Sequence, residues 1–260
     1  MHAEDRERLI EDALRSRGFV TYRELEASLD ASPATIRRDL SRMEQAGRLS
    51  RVHGGAKLPA APAPGPQRLA VTTFEQSITQ NLPAKQAIGR AAARLCAPGA
   101  GIMMDGGTTT LQMCPHLAGR NLQVLTNSLH IVDELLGQDG TSILVPSGTV
   151  FREQNIILAP AGEESMPRFH APQLFMGAAA VGPQGVMQQD VILVAAERRL
   201  IDRADEVILL VDASKFGSSS GAIVCGLDEV DVLVTDRTPE PAMRDALDQA
   251  GVRVIVAAPD

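Results

Sequence analysis

Tryptophan is absent, tyrosine occurs once, and aromatic residues make up 3% of the chain. A surface that stacks single-stranded or RNA bases needs several aromatic faces, so that mode of nucleic-acid binding is disfavoured. Cysteine is scarce too. Cys96, Cys114 and Cys225 are odd in number, widely spaced and set among apolar residues, which predicts buried reduced thiols and no disulfide framework. The five histidines show no paired ligand spacing, so neither a metal nor another cofactor is expected. No apolar run approaches the length of a membrane span, and the opening M-H-A-E-D-R-E-R has no apolar signal core behind it. A cytoplasmic protein without a membrane partner is the expectation.

Lysine occurs only at 57, 85 and 215, the other basic residues being arginine. The formal net charge of −7 argues against a protein that coats nucleic acid everywhere, yet the charge is unevenly spread. Residues 1–58 carry +1 and residues 59–260 carry −8; within the first segment, residues 31–58 carry +4. At 260 residues and 44% hydrophobic content, the chain suffices for one large or two ordinary domains.

The basic stretch reads S-P-A-T-I-R-R-D-L-S-R-M-E-Q-A-G-R-L-S-R-V-H-G-G-A over 32–56. Ser32 is suited to cap a helix, Pro33 to its first position and Gly47 to its stop. At about 100° per residue, Ile36, Leu40 and Met43 share one stripe. Ala34, Arg38, Ser41 and Gln45 lie opposite, flanked by Thr35, Arg37 and Arg42. Short side chains and arginine forks suit a helix in the major groove, although the same pattern describes an ordinary amphipathic surface helix.

Ahead of it, Arg6 to Ser16 has helical periodicity ended by Gly18, Phe19-Val20 forms an apolar bridge, and T-Y-R-E at 21–24 is a capping box. With a turn through Asp30-Ala31, the order is that of a helix-turn-helix. After Gly47, residues 48–52 alternate as a strand, His53-Gly54-Gly55 turns, and Ala56-Lys57-Leu58 returns. This makes a wing carrying Arg48, Arg51, His53 and Lys57. His53 fits either a DNA contact or a turn residue at positive φ.

Pro59 to Gln67, P-A-A-P-A-P-G-P-Q, is an extended spacer running on to about Thr73. Beyond it, helices are expected from Pro83 to Pro98-Gly99, through 110–117, and at 129–136, 193–204 and 240–250. Strands are expected at 101–105, 122–126, 141–145, 156–159, 173–177, 206–212, 231–235 and 252–256. This alternation implies an α/β domain with a mainly parallel sheet.

Ligands in such sheets bind beyond the carboxyl ends of the strands. D-G-G-T-T-T at 105–110 joins a strand to a helix start, where backbone N–H groups and threonine hydroxyls can hold phosphate, or serve as a structural turn. Thr126-Asn127-Ser128 can bond sugar hydroxyls, and Lys215 in D-A-S-K-F-G can neutralise a phosphate or stand solvated. Gln188-Gln189-Asp190 with Glu197-Arg198-Arg199 can close over a ligand or form a surface ion-pair cluster.

G-F-V-T-Y-R-E-L at 18–25 and the 32–56 stretch resemble the DeoR family of bacterial transcription regulators. So do A-I-G-R-A-A-A-R-L, D-G-G-T-T-T, L-T-N-S-L, F-M-G-A and V-D-A-S-K-F-G further on. The resemblance implies a winged helix-turn-helix over 1–58, a Pro/Ala-rich linker over 59–73, and an effector-sensing and oligomerisation domain over 74–260 related to ribose-5-phosphate isomerase. It implies phosphate at Gly107 to Thr110 and Lys215, with polyol contacts from Asp105, Asn127 and Ser128. V-A-A-E-R-R at 194–199 and S-G-T at 147–149 depart from the family's pattern, so the resemblance does not carry over which sugar is bound.

The expected DNA-binding set is therefore Ser32, Ala34, Thr35, Arg37, Arg38, Ser41, Arg42, Arg48, Arg51, His53 and Lys57. The expected effector set is Lys85, Asp105, Gly106, Gly107, Thr108, Thr109, Thr110, Asn127, Ser128, Gly177, Asp190, Glu197 and Lys215. The function expected is a repressor of a carbohydrate-catabolism operon, a dimer or tetramer on double-stranded operator DNA, released by a phosphorylated sugar or sugar acid. An activator is the same reading with the opposite output. An isomerase with an accessory DNA domain is the rival, and it needs a general base beside the sugar carbonyl. Isomerase relatives carry acidic residues after the strand that here reads Phe175-Met176-Gly177-Ala178-Ala179-Ala180; Asp105, Asp190 and Glu197 are the bases left.

Overall fold

The computed structural model describes residues 3–17, 19–29, 31–45, 48–52, 55–57, 74–158, 167–217 and 221–257. Gly18, Asp30, Gly47, His53, Gly54 and the 59–73 spacer lie outside them. The chain divides into two compact units, residues 1–65 and 66–260.

The first unit runs α1 (Ala3–Arg17), β1 (Phe19–Thr21), α2 (Tyr22–Ser28), α3 (Pro33–Gln45), β2 (Ser50–Val52) and β3 (Gly55–Lys57). The Thr21 capping box closes from both sides. The Glu24 N–H donates to Thr21 Oγ1 at 3.2 Å, and the Thr21 N–H donates to Glu24 Oε2 at 2.7 Å. Ile10, Leu14, Leu25, Ile36, Leu40 and Met43 pack into one small core with Val20 and Leu49. The apolar bridge at 19–21 is a strand, because β3 pairs antiparallel with both β1 and β2. The wing is thereby pinned to the helices by three strands.

The second unit opens with α4 (Phe74–Ile78), α5 (Leu82–Ala93), β4 (Gly101–Met104), β5 (Gln123–Thr126), α6 (Leu129–Leu136) and β6 (Ser142–Leu144). It continues through β7 (Thr149–Phe151), β8 (Ile156–Leu158), β9 (Ala171–Met176), β10 (Ala180–Gly182) and β11 (Gly185–Gln188). The last elements are α7 (Val191–Ile201), β12 (Ala204–Leu210), β13 (Ala222–Cys225), β14 (Val232–Thr235), α8 (Pro241–Gln249) and β15 (Arg253–Val256).

Seven strands pair in the order β15-β14-β12-β9-β4-β5-β6, all in parallel. Alternate residues divide the core. Met103, Leu125, Leu174, Met176 and Leu209 face α7 and α8 through Leu200, Met243 and Leu247. Ile102, Met104, Val124, Phe175 and Ile208 face α5 and α6 through Ile88, Ala92 and Ile131. Burial on both faces is why these strands read as continuous apolar runs. The three cysteines are free and buried.

Three expectations change. The run after the D-G-G-T-T-T loop is a 3-10 helix, Thr110–His116, not an α-helix. Pro115 has no N–H to give to Leu111, so the α pattern cannot close. The first long helix of this unit ends at Ala93, short of Pro98. A second, antiparallel sheet, β10-β11-β13, also forms from three- and four-residue strands too short to read by periodicity, and the strand expected at 156–159 pairs as β8 with β7 in an antiparallel hairpin outside the parallel sheet.

Candidate functional site

The first unit presents α3. Ile36, Leu40 and Met43 are fully buried, while Ser32, Ala34, Arg37 and Arg38 are exposed and Thr35 and Ser41 half-buried. Ser32 caps the helix, its Oγ accepting from the Thr35 N–H at 3.3 Å. Arg42 and Arg48, of the expected DNA-binding set, are tied into ion pairs within this unit. Arg42 Nε donates to Glu7 at 2.6 Å and its Nη2 to Asp39 at 2.9 Å. Arg48 donates to Glu11 at 2.7 Å and to Glu7 at 2.6 Å. Arg6 adds a 2.7 Å bond to the buried Asp39.

This network clamps α1, α3 and the start of the wing. Burial raises the Glu7 pKa, but hydrogen bonds from Arg42 and Arg48 outweigh it and hold the carboxyl below its ordinary range. The cations that stand outside these ion pairs on α3 are Arg37 and Arg38. The Arg51 and Lys57 backbones lie on β2 and β3.

In the second unit, connections leave β4 toward β5 on one side and β9 toward β12 on the other. The carboxyl ends of β4 and β9 thus flank a topological switch point, where a crevice opens. Asp105 follows β4, its N–H bonding the Phe175 carbonyl at 2.9 Å. The cleft here is lined by Asp105, Gly106, Gly107, Thr108, Thr109, Gly177 and Lys215, with Ser77, Gln154, Ala178, Ala179, Gln188, Gln189 and Leu193. An inner chamber of about 40 Å³ continues past Asp105 and Gly106 to Asn127, Ile156 and Glu197. The β7–β8 hairpin closes that side, the Ile157 N–H bonding the Asn127 carbonyl at 2.8 Å.

Asn127 Oδ1 accepts from the Gly106 N–H at 3.1 Å and holds the loop. A Cβ on Gly106 would lie 2.4 Å from Ile156 Cγ2, so only glycine fits this close approach.

Charge is divided along the cleft. Lys85 is buried, its Nζ donating to the Ser77 carbonyl at 2.6 Å. Burial lowers its pKa to about 8, with Asp212 pulling it up and Lys215 pushing it down. Asp212 accepts from Asn81 and from the Ser214 N–H, both at 3.0 Å. At the other end, burial lifts Asp105 to about 7 against hydrogen bonds from Gly106 and Asn127. Glu197 is raised well above the usual carboxylate range by burial and then by Asp105.

Four residues of the expected effector set do not line the cleft. Thr110 Oγ1 donates back to the Asp105 and Gly107 carbonyls at 2.8 and 2.9 Å. Ser128 caps α6 through the Ile131 N–H at 3.3 Å, and Asp190 caps α7 through the Ile192 N–H at 3.1 Å. Lys85 lies one layer beneath, behind Ser77. Of the 188–199 cluster, Gln188, Gln189 and Glu197 belong to the cleft, whereas Arg198 pairs with Glu229 at 2.6 Å on the surface. Ser77 and Gln154 carried no sequence signal, since α4 and the β7–β8 turn, far apart in the chain, bring them in.

A winged helix-turn-helix followed by a separate α/β unit with a polar, charge-divided cleft has the make-up of a DNA-binding transcription regulator with a sensor domain. The DeoR C terminal sensor domain matches residues 80–237, and the DeoR-like helix-turn-helix domain matches residues 6–61. The chain belongs to the DeoR family. It is 28% identical over 250 residues to the HTH-type transcriptional regulator UlaR of Escherichia coli (strain K12 / DH10B), covering 96% of this chain and 97% of that one. UlaR of Shigella boydii serotype 18 matches to the same extent.

Among solved structures, ribose 5-phosphate isomerase A from Methanocaldococcus jannaschii aligns with 52% of this chain and 54% of its own, at 15% identity and a TM-score of 0.38. The eIF2B beta of Chaetomium thermophilum aligns with 65% of this chain and 53% of its own, at 18% identity and a TM-score of 0.41. The chain thus spans about half the length of each. Among the described residues, no helix is long and apolar enough to cross a membrane.

Proposed function

We propose that this regulator represses a carbohydrate-catabolism operon and that a phosphorylated sugar or sugar acid, held in the cleft of the second unit, releases it from double-stranded operator DNA. In this reading residues 1–58 bind DNA, 59–73 link, and 74–260 sense the effector and assemble a dimer or tetramer, on the bacterial nucleoid in the cytoplasm.

The observation that carries it is the cleft at the ends of β4 and β9. Two lysines against one carboxylate, Asp212, leave a surplus positive charge beside the Thr108 and Thr109 hydroxyls, which suits a phosphate. The acids and amides around Asp105 suit hydroxyls. Arg37 and Arg38, the exposed cations of α3 outside the ion-pair network, are the proposed base or phosphate contacts. Assembly is supported by exposed Val191 and Ile192 on α7 and Ile223 on β13, two elements that pack together. A symmetric dimer would read half-sites one helical turn apart, or a multiple of it.

The protein is proposed to have no catalytic activity. The strand end after β9 offers Gly177, Ala178 and Ala179 to the cleft and no acid. The test is a gel shift on operator fragments with and without a panel of sugar phosphates, run beside an aldose–ketose turnover assay. Release of DNA without turnover is the expected outcome. Turnover that stops on Asp105→Asn, or retention of DNA with every compound, refutes it.

A further inference from the structure

The two ends of the cleft differ in sign, and the inner end lacks a counter-charge. Asp105 and Glu197 are 3% and 4% exposed and line the same chamber. Glu197 Oε1 accepts from Gln188 Nε2 at 2.6 Å, whereas Oε2 is buried without a hydrogen-bond partner among the described residues. The chamber's remaining lining is Gly106, Asn127, Gln154, Ile156, Gln188, Leu193 and Ala196, so no lysine, arginine or histidine lines it; Cys225 on β13, whose thiol is raised to about 12 and uncharged, faces Glu197, and Lys215 lines only the outer cleft that Asp105 also borders. Among the described residues no third acid, histidine or cysteine joins them to hold a metal. A buried carboxyl oxygen without a partner is costly, and once the group is ionised it calls for a donor.

We infer that the effector carries an ammonium group which the Asp105–Glu197 pair binds, the phosphate lying at the lysine end, and hence that its class is a phosphorylated amino sugar. This rests on the sensor reading above and narrows it. A phosphorylated sugar acid would set a third acid against the two buried ones, and a neutral sugar would leave the pair protonated, with no cation to draw its charge out. In the empty chamber, burial keeps protons on the pair near neutral pH. An ammonium displaces them, so binding releases protons and tightens as pH rises from about 6 to 7, below the roughly 8 at which such an amine, like an α-amino group, gives up its own charge.

The test is calorimetric titration of the full-length protein with matched 6-phosphates: glucosamine against glucose, galactosamine against galactose, mannosamine against mannose. N-acetylglucosamine 6-phosphate and 6-phosphogluconate are the uncharged and acidic controls. One amino member should bind about tenfold or more tighter than its hydroxyl twin and both controls, the scale of a hydrogen bond to a charged group. That preference should shrink in Glu197→Gln and grow from about pH 6 to 7 in the unmodified protein, a readout that needs no variant. A hydroxyl or acid compound binding as well as the amino sugars, or a preference unchanged in Glu197→Gln, overturns the inference while leaving a phosphate sensor standing. Failure of every phosphate to bind overturns the sensor reading and this inference with it.

Discussion

Replacing Lys85 by Met measures how much unfavourable charge the empty sensor domain holds. The residue is 3% exposed, and its ammonium has the Ser77 carbonyl as acceptor. The fall in its pKa from 10.5 to about 8 corresponds to about 3 kcal/mol by which the folded protein disfavours the charged form. Met keeps the length of the stem and removes the charge, but strips the Ser77 carbonyl of its donor, at a cost of about 1 kcal/mol. The variant should therefore be more stable than the unmodified protein by about 2 kcal/mol at pH 7.

The pH dependence has a definite sign. With the folded pKa below the unfolded one, the penalty is complete below about 8. It fades as pH rises toward 10.5, where the unfolded chain also loses its proton, so stability rises with pH in that window. Urea denaturation of both proteins, followed by circular dichroism at pH 7 and pH 10 on the transition of residues 66–260, reads the effect. The variant's advantage should be large at pH 7 and smaller at pH 10, and stabilisation by a sugar phosphate should be lost. A Lys85→Met protein less stable at pH 7, or equally favoured at both values, refutes the reasoning.

Arg38→Ala should leave the melting temperature unchanged and weaken operator binding by about tenfold to a hundredfold if its fork pairs with a guanine; unchanged affinity in a fluorescence titration would remove it from the interface. Asp39→Asn strips Arg6 and Arg42 of their shared partner and should destabilise the first unit by about 3 kcal/mol, seen as an earlier thermal transition. Because Arg42 and Arg48 hold Glu7 below its ordinary 4.5, its contribution is present above that pH and is lost as the pH falls further; melts between pH 6 and pH 3 should show the first unit weakening only below about 4.5. Gly106→Ala drives a methyl into Ile156 and should cost about 1–3 kcal/mol and abolish the effector's influence on DNA binding, while an unaltered response would mean that the hairpin yields.

Local chemistry made much of this molecule legible before its structure. The Thr21–Glu24 capping box, the Ile36–Leu40–Met43 stripe and the apolar strand runs each depend on neighbours in sequence, and each appears where those neighbours put it. What stayed hidden depends on partners far along the chain. Arg42 and Arg48 were read by type as DNA contacts, yet their acceptors, Glu7 and Glu11, lie more than thirty positions away on α1. Ser128 reads as a polyol ligand and Asp190 as part of a cluster closing over the effector, and capping is what their position before a helix equally allows. Ser77 and Gln154 reach the cleft because α4 and the β7–β8 turn meet there, the Phe74 N–H bonding the Glu153 carbonyl at 3.1 Å. Pro115 was visible throughout, and its conflict with an α-helix was the one local signal passed over.

A ligand can shift a conformational equilibrium only by the difference between its affinities for the two states. In this cleft the difference has a physical source. Lys85 beneath the loop and the Asp105–Glu197 pair within it are charges, or groups kept from charging, that the folded protein holds at a cost while the cleft is empty. A state that opens the cleft to water lowers that cost, whereas a ligand that neutralises both ends removes it only in the state that closes around it. The coupling an effector-controlled regulator needs, about 1–3 kcal/mol, is no larger than the penalty on Lys85 alone. On this argument Lys85→Met should not merely weaken effector binding. By stabilising the closed state without a ligand, it should release operator DNA in the absence of any effector, which a gel shift of the variant alone would detect.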